Sequence, residues 1–267
     1  DLSCSGCTFT YMGEQMNAVF TLTAQAAGNT TTVNYAGSGN TNDLARFNPA
    51  ATGNPLKLAV DNTALSARVD TSLVASGSFV AGAANVVAPL AITRGGSADG
   101  PYAALGIGIA PQDSDGIVMN AYDLDTNGDA VSDHTLVGRT EVRYGQMKLS
   151  NAHGSELLPL AIATTVQYWN GTVYVTSAGD NQTSFIAPTN LTFSNRHGLP
   201  SNPTVVGAPF TVVITGGSGS FTFAAPNVAG SVDFATTAPS YLPSNTARAS
   251  FGVYKGNNDF IYMRENY

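Results

Sequence analysis

Lysine is nearly missing from this chain, with Lys57, Lys148 and Lys255 the only examples in 267 residues, and all charged residues together make up 11% of it. That is about half the share of an ordinary soluble domain. With a formal net charge of −7 and no basic run, no patch exists that could track a phosphate backbone or an anionic bilayer. Nucleic acid is therefore not an expected partner. No apolar run approaches the roughly 20 residues of a membrane helix, so membrane insertion is not expected either. The chain begins Asp1-Leu2-Ser3 with neither a signal peptide nor an initiator Met, which fits a processed form or a fragment.

Catalytic signatures are equally scarce. No GxSxG, HExxH, P-loop or dinucleotide-binding glycine pattern stands in a usable context, and there are three histidines. His153 lies beside Ser155 and Glu156, yet triads assemble in space and sequence neighbours rarely form one. His153 and His197 read as loop histidines, and the chain reads as non-enzymatic. A pair of carboxylates could still serve a glycosidase, which sequence does not exclude.

Two cysteines, Cys4 and Cys7, form a CxxC at the N-terminus. Redox chemistry wants such a pair at the start of a helix, whereas Thr8-Phe9-Thr10-Tyr11 reads as a strand. A zinc site would need further paired ligands. A small structural disulfide in an oxidising compartment is the expectation.

What the chain does have is apolar content of 43%, enough for a real core, with polarity supplied by Thr, Ser, Asn and Gly. The dominant period is two. Ala18–Ala24, Thr31–Tyr35, Val166–Trp169, Thr172–Val175, Phe210–Ile214 and Phe221–Phe223 are rich in β-branched and aromatic residues and bounded by turn formers. Asn170-Gly171 reads as a two-residue hairpin turn, and the glycine-rich stretch 216–220 as a second strand connection. Helical periodicity is brief, around Asp61–Val69. An all-β chain of two β-sandwich domains, immunoglobulin-like or jelly-roll-like, is expected, spanning residues 1–150 and 151–267.

Six of the eighteen acidic residues fall between positions 113 and 133. Asp123, Asp125, Asn127, Asp129 and Asp133 follow the DxDxNGD opening of a calcium loop, with Gly128 at the sharp turn. The position where an EF-hand places its bidentate Glu is His134, and the flanks Ile117–Met119 and Thr140–Tyr144 look like strands. The alternative is a hairpin loop using Asp, Asn and Gly for turn chemistry. Repulsion among clustered carboxylates favours Ca²⁺ as a ligand.

Tyr168, Trp169 and Tyr174 flank the expected hairpin turn and are candidates for a sugar platform, though such a trio is more often core. The Asn-x-Ser/Thr triplets at Asn29, Asn170, Asn181 and Asn190 are what so Asn- and Thr-rich a chain produces by chance.

Longer stretches carry a resemblance. Phe9–Gln15, Phe20–Ala24 and Val33–Tyr35, the block Arg143–Leu160 with Gln167–Trp169, and Ala247–Gly256 with Phe260–Glu265 resemble the C-terminal region of MshQ-like proteins of the mannose-sensitive haemagglutinin type IV pilus system. The resemblance spans nearly the whole chain, but that family has neither a CxxC before the first strand nor an end so soon after the Arg-Glu. It implies a location outside the cell or at the surface of a Gram-negative bacterium, with pilus components or other copies of the chain as partners. Two roles follow from it: a structural stalk or self-assembling fibre subunit, or an adhesin for glycan or another surface ligand. Both chain ends look strand-like, and few lysines guard the sheet edges, so fibre assembly by strand addition is the further expectation.

Overall fold

A computed structural model of the chain describes residues 8–35, 54–72, 74–113 and 116–252. Cys4, Cys7 and both chain ends, on which the disulfide and strand-addition expectations rest, lie outside the described residues. The described residues are almost wholly β, with seventeen strands and one 3₁₀ turn at Ser66–Arg68 where brief helical periodicity was expected. The chain divides into two compact units, residues 1–144 with 169–172 and residues 145–168 with 173–267.

The first unit holds β1 (Phe9–Tyr11), β2 (Gln15–Thr23), β3 (Ala59–Val60), β4 (Val69–Asp70), β5 (Ala83–Ile92), β6 (Tyr102–Ile109) and β7 (Thr135–Arg143). They form two sheets, β1-β7-β6-β3 and β2-β5-β4. In β5 every second residue is buried: Ala84, Val86, Ala88, Leu90 and Ile92 face one core with Met16 and Leu22 of β2 and Leu105, Ile107 and Ile109 of β6. This alternation, apolar inward and small or polar outward, is what the period of two in the sequence encodes. β6 is buried on both faces from Leu105 to Ile109, because loops cover its outer side. There Gly106 and Gly108 are needed: a Cβ on Gly106 would stand 2.5 Å from Asp61 Oδ2, and one on Gly108 2.7 Å from Leu124 Cδ2.

The second unit holds β8 (Gly145–Leu149), β9 (Ala152–Gly154), β10 (Leu160–Trp169) up to Tyr168, β11 (Tyr174–Thr176), β12 (Ser184–Ala187), β13 (Leu191–His197), β14 (Phe210–Val213), β15 (Ser218–Phe223), β16 (Gly230–Thr236) and β17 (Ala247–Phe251). One sheet runs β11-β10-β15, with β8 also on β10; a second runs β13-β16-β17-β9; β12 and β14 form a two-stranded ribbon. Aromatic edges join the layers. Phe234 of β16 meets Phe223 and Phe221 of β15 with ring centroids 5.4 and 6.2 Å apart, and Phe185 of β12 meets Phe221 at 6.1 Å. Among the described strand pairs with a given register, β1 with β7 and β9 with β17 are parallel and the others antiparallel; a single Met147–Ser244 bridge is also parallel.

Three local expectations are corrected. Thr31–Tyr35 is a turn closed by a Gln25–Thr31 bridge and a hydrogen bond from the Tyr35 amide to Thr32, not a strand. Ile117–Met119 forms only the single bridge Gln112–Val118, and Ile117 and Val118 are exposed. Between β10 and β11 the connection runs from Asn170 to Val173, with Gly171 alone at positive φ and the Asn170 side chain accepting the Thr172 amide. The tight two-residue turn lies elsewhere, at Gly216 and Gly217 with φ of 58° and 76°, closed by reciprocal bonds between Thr215 and Ser218.

Candidate functional site

The acidic segment of the first unit is a hairpin excursion whose base is a reciprocal backbone pair: the Leu124 amide donates to His134 O at 2.9 Å and the His134 amide returns to Leu124 O at 3.0 Å. Leu124, 4% exposed, is pressed onto Gly108 of β6, and His134 Nε2 lies 2.9 Å from Lys57 O. The excursion is thus anchored to the sheet at both sides of its neck. Beyond the neck the side-chain oxygens serve the loop's own backbone. Asp125 accepts the amides of Asn127 at 3.1 Å and Gly128 at 2.7 Å on one oxygen and that of Ala130 at 2.8 Å on the other. Asn127 accepts the Asp129 amide and Asp129 the Val131 amide, each at 2.8 Å. These are successive Asx turns, the turn chemistry that short acceptors two residues upstream provide.

The two end carboxylates do something different. Asp123 accepts the Leu136 amide at 2.7 Å, tying the excursion to the start of β7. Asp133 takes the Thr126 amide at 2.9 Å and its hydroxyl at 3.0 Å, and lies 2.9 Å from His134 Nδ1. Burial pushes the Asp133 carboxyl up, but the bonds from His134 and Thr126 outweigh it and hold the group below the usual carboxylate range. The five residues expected to ligate calcium are therefore in one loop, each with an oxygen engaged by a neighbouring donor. Among the described residues no three His, Cys, Asp or Glu side chains are grouped as metal ligands.

The aromatic trio is not gathered on one surface. Tyr168 and Trp169 are consecutive on β10, where successive side chains point to opposite faces, and neither they nor Tyr174 is fully buried or fully exposed. His153 and His197 are on strands, β9 and β13, not in loops. Ser155 turns its hydroxyl to accept the Leu157 amide at 3.1 Å, as a turn residue does.

Sequence reasoning passed over a second carboxylate centre. Asp233 on β16, 7% exposed, receives Arg248 of β17 in a two-pronged ion pair, Nε to Oδ1 at 2.5 Å and Nη2 to Oδ2 at 3.0 Å. From the other side Asn195 donates Nδ2 to Oδ2 at 2.9 Å; it is reachable because β13 bulges between Ser194 and His197 with Asn195 at a φ of 45°. Arg248 above all, helped by Asn195 against the cost of burial, holds the Asp233 carboxyl below its ordinary value.

These features define a class: a tandem pair of β-sandwich units whose polar centres are tied into the fold. Two family descriptions match in sequence order, DUF6701 third domain over residues 2–136 and DUF6701 fourth domain over residues 143–266. The chain belongs to the DUF6701 family. No curated protein matches it. Among solved structures it is similar to the Escherichia coli adhesin FdeC at 11% identity, spanning 92% of this chain and 61% of that one, with a TM-score of 0.24. A superposition that low carries nothing about role.

Proposed function

We propose that the chain is a non-enzymatic structural segment of a bacterial surface protein, two rigid β units in a larger row of domains that hold other parts away from the cell. The observation that carries this reading is the pair of consecutive family domains, third and fourth, each with its own β core. The resemblance to MshQ-like proteins gives the setting, the mannose-sensitive haemagglutinin pilus of a Gram-negative cell, with pilus components or further copies of the chain as partners. The polar centres support a scaffold: the 123–134 carboxylates brace a turn and Asp233 braces a sheet. Immunogold labelling of unpermeabilised cells with antibody to residues 116–252 tests the proposal. Label at or beyond the outer surface is expected, and labelling only after permeabilisation would overturn it. Electron microscopy of the same material separates filaments from single stalks.

The adhesin alternative, binding glycan or another surface ligand, would draw on Tyr168, Trp169 and Tyr174, and alternation along β10 would put Tyr168 and Trp169 on different faces of any such surface. Calcium in the 123–133 loop is a separate proposal carried by the DxDxNGD spacing. A carboxylate has about four acceptor sites, so amide bonding leaves capacity for a cation. Calorimetric titration with Ca²⁺ decides it, and absence of heat retires it.

A further inference from the structure

Asparagine followed by glycine occurs twice, at Asn127-Gly128 in the acidic loop and at Asn170-Gly171 between β10 and β11. The pair is reactive because glycine has no side chain to shield its amide nitrogen, which can close a five-membered ring on the asparagine side-chain carbonyl. Both pairs are exposed, and both glycines have positive φ, 80° at Gly128 and 100° at Gly171. Solvent access and backbone class therefore do not separate them.

The electrophiles are alike too. Asn127 Oδ1 accepts the Asp129 amide at 2.8 Å, and Asn170 Oδ1 accepts the Thr172 amide at 3.0 Å. Each donor points at the oxygen that becomes negative during attack on the side-chain carbonyl. The nucleophiles differ. The Gly128 amide donates to Asp125 Oδ1 at 2.7 Å, and the amides of Asn127 and Ala130 bind the same carboxylate. Loss of the Gly128 proton would break a charge-assisted bond and place a nitrogen anion beside a carboxylate. Asn127 is held at its other end as well, with Nδ2 donating to Asp129 Oδ2 at 3.2 Å. The Gly171 amide, by contrast, donates no hydrogen bond among the described residues. Beyond its chain neighbours, a Cβ on Gly171 would meet nothing nearer than Gly100 O at 3.7 Å, so the nitrogen stands in open space.

We infer that Asn170-Gly171 is a site of spontaneous deamidation and that the acidic loop protects Asn127-Gly128 from the same reaction. The Gly171 nitrogen, its proton taken by hydroxide, attacks Asn170 Cγ. The new C–N bond closes a succinimide while the Cγ–Nδ2 bond breaks, and the side-chain nitrogen leaves as ammonia with a proton from water. Water then opens the ring. Addition at the side-chain carbonyl gives aspartate, and addition at the main-chain carbonyl gives isoaspartate, whose backbone is one carbon longer. Either product puts a new negative charge on an exposed connection. The reaction needs only water, so it does not depend on where the chain resides.

Peptide mapping by mass spectrometry of the full chain, incubated at mildly alkaline pH in EDTA, follows both asparagines in one sample. The peptide with Asn170 is expected to gain the mass of an amide-to-carboxyl exchange and to split into aspartyl and isoaspartyl forms. It should do so at least about tenfold faster than the peptide with Asn127, the factor that corresponds to about 1.4 kcal/mol for freeing an amide from a charged acceptor. In denaturing urea the two rates should converge. Asp125→Ala, which releases the Gly128 amide, should raise the Asn127 rate toward that of Asn170, with a melting curve showing that the variant is folded. Equal rates in the folded wild type, a difference that survives in urea, or an Asn127 that stays inert in Asp125→Ala would overturn the assignment.

Discussion

The two carboxylate centres solve one problem, placing negative charge in a β protein with few cations, by opposite means. In the loop at 123–134 the donors to Asp125 and Asp129 lie within five residues in sequence, mostly as backbone amides. At Asp233 the donors are the side chains of Arg248 and Asn195, brought from fifteen and thirty-eight residues away by two different strands. A local centre can form as soon as its own loop does. A non-local centre exists only once the sheet has formed, so it reports on and reinforces the strand order β13-β16-β17.

Removing Asp233 should therefore be the most damaging single change. Asp233→Ala removes the two-pronged acceptor of the Arg248 guanidinium, whose side chain is 27% exposed, and loss of a largely buried pair member costs about 3 kcal/mol. Urea unfolding of the purified chain measures it. A loss below about 1 kcal/mol would place the pair with exposed ion pairs and erase the contrast with the loop.

Acid should separate the centres next. Asp233 and Asp133 both have carboxyls held below their ordinary value, so each contributes stability that is fully present above the unfolded carboxyl pKa near 4 and fades as pH falls through the folded one. Melting temperature should hold steady down to about pH 5 and then drop. Asp233→Asn lowers the plateau but flattens the drop, because the group whose protonation was penalised is gone. An unchanged slope in that variant would mean that Asp133 and other carboxylates carry the acid sensitivity.

The loop side of this contrast was visible in sequence, and the sheet side was not, for a physical cause. Strands β2, β10, β14 and β15 and the presence of a tight loop at 123–133 follow from alternation and from Asp, Asn and Gly spacing, which are local signals. Thr31–Tyr35 has strand composition yet turns, because Gln25 folds back on Thr31 and their pairing stops at that single bridge among the described residues. Asn170-Gly171 has the sequence of a two-residue turn, but the connection takes in Thr172 and Val173 as well, and the glycine pair 216–217 adopts that turn instead. Asp233, Arg248 and Asn195 carry no spacing signal, since only antiparallel registers such as Asp233 opposite Arg248 juxtapose them. The buried Asp113–Tyr35 contact is hidden for the same reason, with seventy-eight residues between its partners.

Within the loop, Asp133 should matter more than Asp125. Asp133 closes the excursion by joining Thr126 to His134, so Asp133→Ala strips the acceptor from the Thr126 amide, leaves its buried hydroxyl with His134 Nδ1, and should cost about 1.5 kcal/mol. Thermal melts at neutral pH compare the two variants directly.

Asp125→Ala is expected to cost about 1 kcal/mol or less, because the amides of Asn127, Gly128 and Ala130 that it releases are exposed and water replaces the lost acceptor. This smallest effect is also the one that calcium would change. If the loop is held by its own backbone alone, EDTA leaves the melting temperature of the wild type in place and the cost of Asp125→Ala is the same with and without Ca²⁺. If a cation sits among Asp123, Asp125, Asn127 and Asp129, millimolar Ca²⁺ stabilises the wild type by mass action, about 2.7 kcal/mol at a hundredfold excess over Kd, and Asp125→Ala loses that gain entirely. The loop would then rival Asp233 as a centre of stability while the sheet site stayed indifferent to metal.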